Sequence, residues 1–132
     1  MEKKIRGLTN AEEEIMQILW KLGKGFVKEI LEQFPEPRPA YNTVSTIIRI
    51  LEKKGVVSYK SYGKTHEYFP LFTKKEYARF TMSNTVNNYF DSSLKRVVSY
   101  FAANENISIS EMEEVRKMIK DQIKQRKQKG DE

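Results

Sequence analysis

Apolar positions recur along most of this chain at spacings of three and four, and change to a spacing of two after residue 55. Ala11, Ile15, Ile18, Leu19 and Leu22 form a first helical stripe. Thr9 and Glu12 have the spacing of a capping box, and Gly23 closes the segment. Val27, Ile30, Leu31 and Phe34 predict a second, shorter helix, which the run Pro35-Glu36-Pro37-Arg38-Pro39 breaks. Val44, Ile47, Ile48 and Leu51 predict a third, stopped by Gly55. Residues 56–61 and 65–69 then read as two strands joined by the turn Tyr62-Gly63-Lys64, with Pro70 ending the second. From Thr73, where Glu76 completes another capping box, helical spacing returns. Met82, Val86, Tyr89 and Phe90 lead to Leu94, Val97, Val98 and Phe101, with Asp91-Ser92-Ser93 as a break. Asn104-Glu105-Asn106 reads as a loop. Ser108 or Ser110 then starts a last helix with Met112, Val115, Met118, Ile119 and Ile123 as its stripe.

The third helix has an unusual opposite face. Asn42, Thr46, Arg49 and Lys53 repeat there, with Ser45 at its margin. A helix that only covers a core usually shows water a Glu/Lys-rich face. Asn, Ser, Thr and Arg are the side chains that hydrogen-bond base edges in a DNA major groove. Two helices joined by a tight proline elbow, the second with such a face, follow the helix-turn-helix plan, and a hairpin directly after it is a wing. The residues placed at base edges are Asn42, Thr43, Ser45, Thr46 and Arg49. Those placed at phosphates or on the wing are Arg38, Lys53, Lys54, Lys60, Tyr62 and Lys64.

Charge reinforces this placement. Of a formal net charge of +6, residues 37–66 carry six Lys/Arg against Glu52 alone, and residues 116–129 carry seven against Asp121. Clustered cations over a hydrogen-bonding helix are the footprint of a polyanion partner. Other chemistries find little to stand on. There is no cysteine and one histidine, His66, so a transition-metal site lacks ligands and no cofactor is expected. Glu12, Glu13 and Glu14 suit a helix N-terminus better than paired catalysis. No Gly-rich phosphate loop, nucleophile–base pair or small-molecule site is evident, so an enzyme is not expected. Trp20 reads as a packing aromatic. With no 18-residue apolar run and no apolar segment at the N-terminus, the cytoplasm is the expected compartment.

The helices after Thr73 make a poor independent domain, because their stripes find no further core in the chain. Burying them against a second copy resolves this. Val86, Phe90, Leu94, Val97, Val98, Phe101, Met112, Val115 and Ile119 are the expected dimer residues. The expected fold is mainly α with a small β-hairpin: a winged helix-turn-helix domain over residues 1–72, a helical dimerisation domain over 73–125, and a basic disordered tail over 126–132. Winged helices also serve as protein-interaction adaptors, which is the alternative reading.

The stretches Leu8-Thr9-x-Ala11-Glu12-x-x-Ile15-Met16-x-Ile18-Leu19-Trp20, Tyr41-Asn42-Thr43-Val44-x-Thr46 and Leu51-x-Lys53-Lys54-Gly55 together resemble the penicillinase-repressor family. That family includes penicillinase, methicillin-resistance and copper-responsive repressors. The resemblance runs from Leu8 to about Ile123. It implies a homodimer whose two recognition helices enter successive major grooves of a pseudo-palindromic double-stranded DNA operator. In the β-lactam-responsive branch, a membrane sensor-protease pathway ends in repressor cleavage between an Asn and a Phe. The matching pair here is Tyr100-Phe101, in which the Phe matches and the Asn does not. The copper branch uses C-terminal cysteines, which this chain lacks.

Overall fold

A computed structural model describes residues 5–104 and 106–130. The expectations for residues 1–4, for Glu105 in its loop and for the last two residues of the tail lie outside them. The chain divides into two units, the first ending at Ser83 and the second beginning at Asn84.

In the first unit, α1 (Asn10–Leu22) starts at the expected capping box: Thr9 Oγ1 accepts from the Glu12 amide, and Glu12 Oε1 accepts from the Thr9 amide. Its buried side is Glu12, Ile15, Met16 and Leu19, while Ala11 and Leu22, expected in the stripe, are exposed. The carboxylate of Glu12 can lie inward because Lys54 Nζ donates to it at 2.8 Å. Then come β1 (Gly25–Phe26), α2 (Val27–Glu32), α3 (Tyr41–Lys53), β2 (Val57–Tyr62) and β3 (Thr65–Pro70). The sheet is antiparallel with order β1-β3-β2, so a short third strand joins the expected hairpin. Ile15, Met16, Leu19, Ile30, Val44, Ile48, Leu51, Val56 and Val57 are fully buried. Each such side chain contributes about 1.5–3 kcal/mol of burial.

α4 (Lys74–Tyr89) begins at Thr73, whose hydroxyl accepts from the Glu76 amide at 3.0 Å. Its first turns belong to the first unit, so the division falls after Ser83 and not after residue 72. The reason is aromatic. Trp20 Nε1 donates to the Phe72 carbonyl at 2.9 Å, and its ring lies 6.3 Å from Phe72 and 5.7 Å from Tyr77. The Tyr77 hydroxyl accepts from the Leu8 amide, and Phe80 stacks on Tyr77.

The second unit holds the end of α4, then α5 (Leu94–Ala102) and α6 (Ile109–Gln128). Asp91 and Ser92 take left-handed φ values of 51° and 58° at the break, and Ser93 and Ser108 cap the two helices that follow. α6 runs through residues 126–128, where the sequence predicts disorder. Arg126 and Lys127 favour the negative end of the helix dipole, and no breaker occurs before Gly130. Of the expected dimer residues, Val97 is buried, and Val86 and Phe90 are partly buried. Leu94, Val98, Phe101, Met112, Val115 and Ile119 are exposed, Leu94 by 71%. No described helix is long and apolar enough to cross a membrane.

Candidate nucleic-acid interface

α3 is amphipathic by sequence, and both its ends are fixed by backbone geometry. At the N-terminus, the Pro-rich elbow leads to Ala40, whose carbonyl accepts from the Val44 amide at 3.2 Å. At the C-terminus the Gly55 amide donates to the Glu52 carbonyl and the Val56 amide to the Leu51 carbonyl. This is a Schellman closure: Gly55 takes φ 77°, and the buried Val56 and Leu51 supply its apolar contact. The hairpin therefore leaves α3 in a set direction. The Leu71 amide donates to the Val56 carbonyl at 2.9 Å and ties off the hairpin base.

With Val44, Ile48 and Leu51 buried, the opposite face of α3 is exposed at Asn42, Thr43, Thr46, Arg49 and Lys53, with Ser45 half-buried at the margin. On one flank, Tyr41, Ser45 and Arg49, spaced by four, border a groove of about 790 Å³. Its far wall is the hairpin face carrying Tyr59, His66 and Tyr68, and its end is the start of α2 with Val27, Lys28 and Glu29. Tyr59 and His66 stack at 3.9 Å, almost parallel, and Tyr59 packs on Tyr68 at 5.7 Å. Burial, and then the negative charge of Glu52, hold the Tyr68 phenol above its ordinary value of 10.0. Tyr68 is thus a neutral wall.

Lys28, Arg49, Lys53 and Lys64 line this groove against Glu29 and Glu52. Glu29 is partly occupied, accepting from the Phe26 amide at 3.0 Å. The groove is therefore concave, aromatic-walled and net cationic, and it lies beside a strip of hydrogen-bonding side chains. That combination fits a phosphodiester strand running next to base edges. Two residues expected at phosphates are engaged elsewhere. Arg38 Nε donates to the Phe34 carbonyl and Nη2 to the Glu32 carbonyl, so its guanidinium caps the end of α2. Lys54 is held by Glu12. Lys60 lies over the Tyr62 ring at 5.3 Å, and Tyr62 meets Phe26 edge-on at the wing. Tyr41 and Lys28 are among the groove residues that escape the sequence reading. Tyr41 shares the four-residue spacing of Ser45 and Arg49, a signal that is present in the chain. Lys28 comes from a different helix and carries none. Among the described residues, no group of three or more His, Asp or Glu could hold a metal ion.

Comparison with known proteins bears on most of the chain's length. The family profile described as penicillinase repressor matches residues 8–121. The methicillin resistance regulatory protein MecI of Mammaliicoccus sciuri is 28% identical over 120 residues, covering 90% of this chain and 98% of that protein. The penicillinase repressor of Bacillus licheniformis is 23% identical over 127 residues, covering 96% and 99%. A solution structure of the DNA-binding domain of the repressor BlaI covers 58% of this chain and 94% of its own, at 26% identity and a TM-score of 0.49.

Proposed function

This chain belongs to the penicillinase repressor family, and on that premise we propose that it is a dimeric, sequence-specific DNA-binding transcriptional repressor. The carrying observation is the exposed Asn42, Thr46, Arg49 and Lys53 face of α3 beside the cationic groove. In this reading α3 lies in a major groove, Asn42, Thr43, Ser45, Thr46 and Arg49 meet base edges, and Lys53, Lys60 and Lys64 meet phosphates. Tyr41 and Lys28 join the backbone contacts. Repression needs no bond chemistry: the bound protein occupies the site that polymerase must use.

The second unit supports pairing with a second copy. Leu94, Val98, Phe101, Met112, Val115 and Ile119 leave apolar surface that a dimer would cover. A dimer implies two half-sites, with a centre-to-centre spacing of about one helical turn or a multiple of it. Lowering the dimer population releases the operator, because one half-site supplies only part of the binding energy. Cleavage at Tyr100-Phe101 is one route to that release. Both side chains are exposed on α5.

The test is selection of bound duplexes from genomic fragments by the full chain, followed by footprinting. The expected result is a small set of fragments sharing an inverted repeat, retained as salt is raised. Binding to every fragment alike, lost together with salt, would mean that the cationic surface acts without sequence reading.

A further inference from the structure

We infer that α6 carries a second polyanion-binding surface, a stripe of lysines that lies along DNA outside the operator. The inference rests on the DNA-binding reading and extends it to the other unit. Lys117, Lys120, Lys124 and Lys127 follow one another at steps of three, four and three, so at 3.6 residues per turn they share one side of α6. All four are exposed, and among the described residues none has an ion-pair partner. The ion pair in this helix, Arg116 with Glu113 at 2.9 Å, lies at the N-terminal end of the stripe. Asp121 borders one edge of the stripe, four positions after Lys117 and three before Lys124. Glu113, which lines one surface pocket with Arg116, Lys117 and Lys120, and Asp121 set two carboxylates against Arg116 and the four lysines, so the stripe is net cationic.

Three physical points favour DNA as the occupant. First, like charges at spacings of three and four destabilise a helix by a few tenths of a kcal/mol per pair. A polyanion converts that repulsion into attraction. Second, ten residue steps from Lys117 to Lys127, at about 1.5 Å each, make the stripe about 15 Å long, and a duplex offers one charge per about 1.7 Å of its axis. Third, the first unit brings the duplex to the same chain, so interactions too weak to hold alone act at high effective concentration. The apolar seam of α6, through Met112, Val115, Ile119 and Ile123, lies on a neighbouring side. Covering the seam therefore leaves the lysines accessible.

The experiment compares the full-length protein with K117Q/K120Q/K124Q/K127Q and with an equal-charge control, K21Q/K74Q/K75Q/R79Q. Each is titrated on the shortest selected duplex and on the same duplex extended by about two helical turns at each end. Circular dichroism and light scattering establish that fold and assembly are unchanged. The expected result is that the α6 variant matches wild type on the short duplex but lacks the gain that wild type shows on the long one. Wild-type affinity for the long duplex falls as salt rises from about 50 to 200 mM. Each phosphate that the variant no longer neutralises should take a factor of roughly three to four out of that fall. An α6 variant with wild-type affinity and salt slope on the long duplex overturns the inference. So does a wild type that gains nothing from the flanks, or an equal-charge control that loses the flank gain as fully as the α6 variant. A wild type that gains from flanks yet does not distinguish selected from random duplexes leaves the stripe standing and removes the operator reading.

Discussion

Glu12 is the one buried charged residue among those described, and its partner lies 42 positions away. Burial alone would raise its pKa. The hydrogen bond from Lys54, those from Thr9 and the lysine's charge outweigh burial and place it below the ordinary 4.5. A carboxylate with a lowered folded pKa contributes stability above its unfolded pKa, and that contribution is lost as pH falls through the folded value. Chemical denaturation should therefore show a stability gap between wild type and Glu12→Gln that is constant near neutrality and shrinks below about pH 4.5. The two partners are not equivalent. Without Glu12, Lys54 can turn to water. Without Lys54, a buried carboxylate keeps only Thr9, so Lys54→Ala should cost about 2 kcal/mol or more. Arg49 answers to a different measurement. If it is bidentate to a guanine, Arg49→Ala should cost roughly 1–3 kcal/mol on the selected duplex and relax preference at one position. Uniform weakening on all sequences would make it a phosphate ligand instead.

At the level of elements, α3 depends on a left-handed closing residue. A Cβ on Gly55 would meet nothing within 4 Å, so Gly55→Ala tests backbone conformation without crowding. Thermal denaturation should show a loss of about 1–2 kcal/mol, smaller for Gly55→Asn. A loss near zero would mean that the closure is not what holds the hairpin base. Ile48→Ala, at a fully buried position, should cost about 2–5 kcal/mol. These elements are readable in the sequence because each is local: a capping box spans four residues, a stripe two turns, a hairpin one turn with its flanks. Three features are not readable. β1 has two residues and no period to detect. The Glu12–Lys54 pair joins two helices whose mutual rotation only packing sets. That same rotation turns Met16 inward in place of Leu22. Arg38 looks free in the sequence because its targets, the Phe34 and Glu32 carbonyls, are backbone atoms that sequence does not mark.

For the whole molecule, the proposed pairing makes stability and assembly one quantity. Light scattering at micromolar concentration should report about twice the 15.6 kDa chain mass, and the unfolding midpoint should rise with protein concentration. Ile119→Asp, on the exposed seam of α6, should shift the mass toward a single chain while leaving the first unit's helices folded. An unchanged mass would remove that seam from the interface. One property of α3 reaches furthest. Its buried residues and the residues proposed to meet bases are different sets, so Asn42, Thr43, Thr46 and Arg49 can be replaced by residues other than Pro and Gly with less than about 0.5 kcal/mol effect on stability each. A library varied at these four positions without Pro or Gly should therefore remain folded while scattering in the duplexes it selects. On the proposed reading, a lineage built on this scaffold changes the duplexes it selects by point mutation, with no intermediate that must first survive misfolding.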